Sequence, residues 1–290
     1  MGPKAADHSW VRINVLMPVF QPNLAWLKLA ISSLLQQSES QWQLVLSLDG
    51  DDPETGAAAT LARQLISTPQ QLIVVEGPRS GITGTLNRGL SHCHSPFIAR
   101  MDADDICLPE RLSRQSTALE SDPKLIAIGM QIQGIDHNHQ PIPKSLHHYP
   151  SSTSSTLLMG ALFNTPIAHP VLMMRRNALQ SIGGYREQRC MEDYDLLARL
   201  STVGKLNNLK YLGLLYRIHP SQHSRQVRPF RLQLLKARLR FLKETGIRNP
   251  LHWLLIPIPL LLFAIGPRCE YISRRLFSSL ASRFKKTRGS

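Results

Sequence analysis

The stretch Pro96-Phe-Ile-Ala-Arg-Met-Asp-Ala-Asp-Asp105 decides the fold, because an apolar strand runs directly into three carboxylates. Hard divalent cations such as Mg²⁺ and Mn²⁺ prefer carboxylate oxygens, and one or two of these usually bind the metal together with substrate phosphates. An Asp-x-Asp at the end of a strand can turn both carboxylates toward a crevice. The alternative is a polar turn that caps the next helix ahead of Pro109.

Apolar strands alternate with helices on the amino-terminal side of this motif. The first strand runs from Arg12 to Phe20 and is expected to break at Pro18, and residues 24–37 have apolar side chains at helical spacing. The remaining predicted elements are strands at 43–48, 72–75 and 96–101 and helices at 55–66 and 82–93. This alternation predicts an α/β domain on a largely parallel sheet.

Ligands of such sheets bind at the carboxyl ends of the strands. Besides the carboxylate motif, two segments are predicted to lie there, Pro18–Phe20 and Asp49–Asp52. Asp49 could accept hydrogen bonds from a nucleobase or a ribose. The alternative is an Asp-Gly turn followed by a helix cap at Asp52 or Thr55.

A glycine-rich segment, 77–84, follows the third predicted strand. It matches neither a P-loop nor a dinucleotide-binding fingerprint, which counts against a nucleoside triphosphatase and against a nicotinamide-dependent enzyme. Its Arg79 could face a phosphate or a base.

The second half of the sequence is less regular. Residues 137–155 are rich in Pro, Ser and His and are predicted to form a loop over the site. The predicted elements are helices at 111–119 and 191–203 and strands at 125–135, 171–174 and 206–217.

Acidic residues open the helix predicted at 191–203. Glu192 or Asp193 could be a general base held at the edge of the crevice. The alternative is that both acids only complement the helix dipole, which contributes about 0.3–1 kcal/mol. His219 follows the last predicted strand and could bind a metal ion or a diphosphate, or could be a hydrogen-bonded loop histidine.

Taken together and in order, these segments resemble a family 2 glycosyltransferase with the GT-A fold over residues 12–225. The resemblance rests on an ordered set of motifs: Val15-Leu-Met-Pro-Val-Phe20, Ala30-Ile-Ser-Ser-Leu-Leu-Gln-Gln37, Asp49-Gly50, Gly84-Thr-Leu-Asn-Arg-Gly89, Ile98-Ala-Arg-Met-Asp-Ala-Asp-Asp105, Pro109-Glu-Arg-Leu112, His169-Pro-Val-Leu-Met-Met-Arg-Arg176, Ile182-Gly-Gly-Tyr185, Glu192-Asp-Tyr-Asp-Leu196 and Tyr216-Arg-Ile-His219.

The resemblance implies a Rossmann-like mixed sheet flanked by helices, and inverting transfer of a sugar from a nucleotide-sugar, with UDP as the expected nucleotide. It also implies a role for each site residue. Asp104 would bind Mg²⁺ or Mn²⁺, Asp102 would contact the ribose or the metal, and Asp193 would be the base, with Glu192 as the alternative. The nucleoside pocket would be lined by Pro18, Phe20, Asp49 and Arg79.

Charge divides the chain into two predicted parts, a catalytic domain at 1–227 and a tail at 228–290. The first part carries 20 Lys and Arg against 18 Asp and Glu, a net charge of +2, whereas the tail carries 14 against 2, a net charge of +12. A basic amphipathic helix is predicted at 230–243 and another at 271–286. The apolar run 251–265 between them is shorter than the ~20 residues that span a bilayer.

We therefore expect the tail to dock on an anionic membrane surface, because amphipathic helices and cationic side chains both favour it. The alternatives are a helical subdomain packed on the catalytic domain and a membrane span. No secretory signal is predicted in the polar residues 1–10, and the four well-separated cysteines suit a reducing compartment. The expected location is the cytoplasm, peripheral on the inner face of the cell membrane.

The expected acceptor is a lipid-linked or envelope glycan, and no nucleic-acid partner is expected, because the basic residues are confined to the tail. Two other functions compete with glycosyl transfer. One is a catalytically inactive domain that acts as a membrane-binding or nucleic-acid-binding scaffold. The other is a nucleotidyltransferase, which also uses a metal held by aspartates but releases pyrophosphate.

Overall fold

The computed structural model describes residues 11–151, 165–187, 191–220 and 231–245. Two 3₁₀ turns, Pro69–Gln71 and His169–Val171, accompany the strands and helices of this part. Its strands are β1 (Ile13–Val19), β2 (Trp42–Leu48), β3 (Leu72–Val75), β4 (Phe97–Arg100), β5 (Ile106–Cys107), β6 (Leu125–Ile135), β7 (Pro141–His147), β8 (Met173–Arg175) and β9 (Lys205–Arg217). Its helices are α1 (Leu24–Leu35), α2 (Pro53–Leu65), α3 (Gly81–Leu90), α4 (Arg111–Ser121), α5 (Arg176–Ser181), α6 (Glu192–Ser201) and α7 (Arg231–Thr245).

The strands form one mixed sheet in the order β3-β2-β1-β4-β8-β6-β9-β5, and β7 pairs with β6. The first four strands are parallel, as predicted. Beyond β4 the sheet is mixed: β8 is antiparallel to β4 and β6, and β5 is antiparallel to β9, whereas β6 and β9 are parallel. The carboxyl ends of β1, β2 and β4 therefore lie along one edge of the sheet.

Helices cover both faces of the sheet, so the central strands are buried throughout. In β1, Met17 joins the core formed with α1, α2 and α4, whereas the adjacent Leu16 joins the core formed with α3, α5 and α6. This two-sided burial explains why the parallel strands are continuous apolar runs rather than alternating ones.

The expected break of the first strand at Pro18 is wrong. The strand continues to Val19, and Pro18 pairs in register with Ser47 of β2. On its other side, β1 pairs with β4 only as far as Leu16. Pro18 therefore lies where β1 has a strand partner on one side only, and the missing backbone N–H of proline is tolerated there.

The loop predicted at 137–155 is wrong in part, because β7 (Pro141–His147) runs antiparallel to β6 within it. Most side chains of β7 are exposed. A strand without a buried face has no alternating apolar pattern, so composition alone did not reveal it.

The start of α2 confirms one of the alternatives for the Asp49–Asp52 segment. Asp52 precedes the helix, and its Oδ1 accepts a hydrogen bond from the backbone N–H of Thr55 at 3.0 Å. Asp52 is therefore the N-cap of α2, and α2 begins directly behind the carboxyl end of β2.

Helix α7 is the described part of the predicted tail and agrees with the basic helix expected at 230–243. It contacts α6, and its Ala237 and Leu242 are buried. The predicted apolar run 251–265 and basic helix 271–286 lie outside the described residues, as do residues 1–10. Among the helices that the structure describes, none is both long and apolar enough to cross a membrane.

Candidate active site

Three carboxylates form a cluster at the carboxyl end of β4. Single oxygens of Asp102, Asp104 and Asp105 lie within 4.8 Å of one another. Asp105 is fully buried, and its Oδ2 has no hydrogen-bond partner among the described residues. An all-oxygen cluster with a free buried oxygen fits a hard divalent cation. Asp105 was not assigned a role from the sequence, although it belongs to the same motif.

The end of β9 holds the cluster in place through hydrogen bonds. The backbone N–H of Arg217 donates to Asp105 Oδ1 at 2.8 Å, and Arg217 Nε donates to the backbone oxygen of Asp104 at 2.8 Å. His219 Nε2 lies 2.9 Å from Asp104 Oδ2. His219 is therefore a direct partner of Asp104, which fits the alternative of a hydrogen-bonded loop histidine and also keeps His219 next to the candidate metal site.

Trp26 of α1 was not singled out from the sequence, yet it contacts both of these β9 residues. The Arg217 guanidinium lies 4.9 Å from the centre of its ring, and the His219 ring lies 5.0 Å from it. Trp26 thereby packs behind the hydrogen bond between His219 and Asp104.

Two acids of the cluster, Asp104 and Asp105, have a raised pKa. Burial, followed by the charge of Asp102, raises the pKa of Asp104. Burial, followed by the charge of Asp104, raises the pKa of Asp105 well above its ordinary value. Like charges held this close favour binding of a cation, because a cation relieves their repulsion.

Arg100 is a buried cation at the end of β4. It forms an ion pair with Asp102. Burial raises the pKa of Glu192 and of Asp193, and the charge of Arg100 opposes part of this rise. Arg100 therefore acts electrostatically both on the carboxylate cluster and on the acids that open α6.

Glu192 and Asp193 are the first two residues of α6. Burial, followed by the charge of Asp193, raises the pKa of Glu192 to about 7, and Asp102 contributes to this shift. Burial also raises the pKa of Asp193. The Asp193 carboxylate accepts hydrogen bonds from the Tyr194 N–H at 2.7 Å and from Thr165 Oγ1 at 3.2 Å. Both acids are therefore partly buried and within electrostatic range of the β4 motif.

The turn Ile182-Gly-Gly-Tyr185 contacts the segment that begins at His169. His169 Nε2 lies 2.9 Å from Tyr185 Oη. Burial, followed by the charge of Arg100, lowers the pKa of His169 well below its ordinary value. His169 is thus a buried side chain that is hydrogen-bonded to Tyr185.

The residues expected to line a nucleoside pocket form a separate group at the ends of β1 and β2. The Arg79 guanidinium lies 4.4 Å from the centre of the Phe20 ring, and Phe20 is 40% exposed. Asp49 Oδ1 accepts hydrogen bonds from the backbone N–H groups of Ser80 and Gly81 at 2.6 and 3.1 Å. Asp49 thereby fixes the segment that carries Arg79, whereas Pro18 is buried within β1.

Gly50 stands beside Asp49 because the backbone requires glycine there. Its φ is +120°, a conformation that side chains other than hydrogen rarely allow. Its N–H donates to the backbone oxygen of Gly77 at 3.1 Å, which draws the end of β2 against the Arg79 segment.

The sequence is similar to those of a known protein family. The model of glycosyl transferase family 2 matches residues 14–183. Amylovoran biosynthesis glycosyltransferase AmsE of Erwinia amylovora is 30% identical over 178 residues, which span 61% of this chain and 65% of that protein. O-antigen biosynthesis glycosyltransferase WbnJ of Escherichia coli is 27% identical, over 82% of this chain and 91% of that protein.

The fold is also similar to that of a solved structure, S. aureus TarS in complex with UDP-GlcNAc. The TM-score is 0.63 at 15% sequence identity, and the match covers 80% of this chain and 67% of that chain. The chain belongs to glycosyl transferase family 2, and its fold is GT-A. The resemblance, the fold class and the enzyme class expected from the sequence are confirmed.

Proposed function

We propose that this protein is an inverting, metal-dependent glycosyltransferase that moves a sugar from a UDP-sugar to an acceptor hydroxyl. The observation that carries the proposal is the cluster of three carboxylates, Asp102, Asp104 and Asp105, at the carboxyl end of β4, in which Asp105 Oδ2 is buried and has no hydrogen-bond partner among the described residues. Such a cluster suits a divalent cation that binds the diphosphate of a nucleotide-sugar. The acids that open α6, Glu192 and Asp193, supply candidates for the base that this reaction needs.

Asp102, Asp104 and Asp105 would hold Mg²⁺ or Mn²⁺, with His219 orienting Asp104. A bound divalent cation would stabilise the negative charge that develops on the leaving diphosphate. The hydrogen bonds from Arg217 hold the backbone of this turn in place, so the carboxylates need little rearrangement on binding.

Asp193 is the proposed base that takes the proton from the acceptor hydroxyl. Thr165 and the Tyr194 N–H hold its carboxylate in one orientation. Glu192 is the second candidate, because its pKa of about 7 suits proton transfer near neutral pH. One-step displacement by an activated hydroxyl requires no protein nucleophile.

Phe20, Asp49 and Arg79 would form the nucleoside pocket, with Pro18 shaping the strand end below it. The exposed ring of Phe20 and the Arg79 guanidinium offer a base two flat surfaces for stacking. UDP is favoured as the nucleotide, and the UDP-GlcNAc bound to TarS, a protein of the same fold, supports this choice.

The proposed acceptor is a lipid-linked or envelope glycan, since relatives act in amylovoran and O-antigen biosynthesis. The tail, residues 228–290, would hold the enzyme on the inner face of the membrane through its net charge of +12. Full-length protein should therefore float with vesicles that contain anionic phosphatidylglycerol and not with neutral phosphatidylcholine vesicles. Equal flotation with both would contradict this part of the proposal.

The direct test is a thermal-shift panel of UDP-, GDP-, CDP- and dTDP-sugars, each with and without Mn²⁺. A shift with UDP-sugars that requires Mn²⁺, followed by release of UDP, is the expected result. Release of pyrophosphate would identify a nucleotidyltransferase instead. No shift and no release with any donor would support an inactive scaffold.

A further inference from the structure

Asp195 is a buried acid of α6 that the proposed chemistry does not use. Its side chain is 1% exposed. Its Oδ2 accepts a hydrogen bond from Arg199 Nε at 2.9 Å, and its Oδ1 accepts from Arg186 Nη1 and Arg240 Nη1, each at 3.0 Å. Three guanidinium groups from three segments of chain therefore meet at one carboxylate.

One of these arginines belongs to the tail. Arg240 lies on α7, where Ala237 and Leu242 are buried. A second bridge joins α7 to the segment before α6, because Arg186 Nη1 also donates to Glu244 Oε1 of α7 at 2.8 Å. The first helix of the tail is thus attached to α6 by packing and by the Arg240–Asp195 bridge, and to the preceding segment by the Arg186–Glu244 bridge.

Arg199 extends this network to the turn Ile182-Gly-Gly-Tyr185. Its Nη1 donates to the backbone oxygens of Ile182 and Gly184 at 2.7 and 2.8 Å. The next residue, Tyr185, is hydrogen-bonded to His169. Asp195 therefore connects α7, this turn and the first turn of α6.

The first turn of α6 begins at a residue with an unusual backbone conformation and without a side-chain cap. Met191 has a φ of +63°, which is unusual for a side chain other than glycine, and no side chain caps the helix. Glu192, Asp193 and Asp195 all lie within this turn. The helix dipole favours acids here, but acids within one turn repel one another when they are charged, so the guanidinium groups around Asp195 help to hold the turn in one conformation.

We propose that Arg240, acting through Asp195, is a positioning residue for the turn that carries Glu192 and Asp193. Helix α7 is then part of the catalytic unit, which extends through Thr245 and beyond the predicted boundary at residue 227. This inference rests on the proposed function, because it assigns Arg240 an effect on the base and not on the donor site.

The test compares full-length wild-type protein with Arg240→Ala, Arg240→Lys and Arg63→Ala. Arg63 is the matched control, because it pairs with exposed Glu76 at 3.7 Å on the surface of α2. The first measurement is hydrogen–deuterium exchange of peptides from α6 and from β1. The second is the steady-state kinetics, kcat and KM, of UDP release from UDP-GlcNAc with Mn²⁺.

In Arg240→Ala we expect faster hydrogen–deuterium exchange in α6 and unchanged exchange in β1. We also expect kcat to fall about tenfold and the donor KM to stay within about twofold of wild type, because misplacing a catalytic group lowers kcat rather than donor binding. Arg240→Lys should recover much of the loss. The inference would be overturned if Arg240→Ala had the same exchange and the same kcat as Arg63→Ala. It would also be overturned if Arg240→Ala changed kcat and KM equally and exchanged faster throughout the chain. If wild type itself releases no UDP, the proposed function fails with this donor, and the exchange measurements still decide the role of Arg240.

Discussion

The two halves of the sheet are held together in different ways. Strands β1–β4 form a regular parallel ladder between apolar helical faces. In the half that contains β6, β8 and β9, buried polar side chains bind backbone carbonyls across the irregular pairing. Gln115 donates to the oxygens of Ile128 and Val171, and Gln131 to that of Leu209.

This difference shows how each half of the sheet positions its part of the site. In the first half, Phe20 and Asp49 directly follow the ends of β1 and β2, whereas the β4 carboxylates are also held by Arg217 and His219 from β9. In the second half, the acids of α6 depend on side chains from remote segments, such as Arg240. We therefore expect substitutions in the first half to act mainly on donor binding, and those in the second half to act on turnover or on stability.

The largest expected effect is that of Asp193→Asn in the second half. Loss of the base should lower kcat by about 10²–10⁴-fold, because that is the usual contribution of general base catalysis. The Kd for UDP should not change. Turnover is measured by release of UDP, with Asp51→Asn, an exposed acid after β2, as the control. Near-normal turnover in Asp193→Asn would assign the base to Glu192.

Asp104→Asn tests the junction between the halves. The variant should lose the Mn²⁺-dependent part of UDP binding, and kcat should fall by about 10²–10³-fold, because metal stabilisation of the leaving group contributes several kcal/mol. Calorimetric titration with UDP, with and without Mn²⁺, measures the first effect. Unchanged Mn²⁺ dependence would remove Asp104 from the proposed metal site.

Gln115→Leu tests the polar interior of the second half. It leaves the carbonyls of Ile128 and Val171 without their partner, so we expect a loss of about 1–3 kcal/mol in the free energy of unfolding. Urea denaturation measures it. In the first half, Ile31→Val should cost about 0.5–1.5 kcal/mol through lost packing alone. A smaller loss in Gln115→Leu than in Ile31→Val would contradict the contrast between the halves.

Glu192→Gln tests the raised pKa of Glu192. A carboxyl whose folded pKa is about 7 stabilises the fold fully below its unfolded pKa, and this contribution is lost as the pH rises through 7. The variant has no such loss, so at pH 8 it should be more stable than wild type by about 1–2 kcal/mol, and at pH 4 the gap should disappear. Urea denaturation at the two pH values checks this, and a gap independent of pH would refute it.

The smallest expected effect is that of Arg79→Met in the first half. Loss of the guanidinium over Phe20 should raise the Kd for UDP about two- to fivefold, in line with about 0.5–1 kcal/mol for an exposed cation–π contact. The kcat should stay near that of wild type. A fall in kcat without a change in Kd would place Arg79 at the reacting groups instead.

Prediction from the sequence succeeded where structure is local. Apolar runs and helical spacing predicted β1–β4 and α1–α3, and the segments predicted at strand ends lie there, including Phe20 and Asp49. Prediction failed for β7, which has no buried face, and for the break at Pro18, which depends on where β4 stops pairing. The roles proposed for the individual site residues, and the boundary between domain and tail, remain predictions.

The sequence by itself determined the family, the alternation of strands and helices and the order of the motifs, because each of these depends on residues that are close together in the chain. Only the tertiary structure decided which distant groups meet. His219 reaches Asp104 across 115 residues, and Arg217 reaches Asp105 across 112. Arg240 reaches Asp195 across 45. Such contacts follow from the packing of the sheet and from the need to pair buried charges, and no local pattern of residues encodes them.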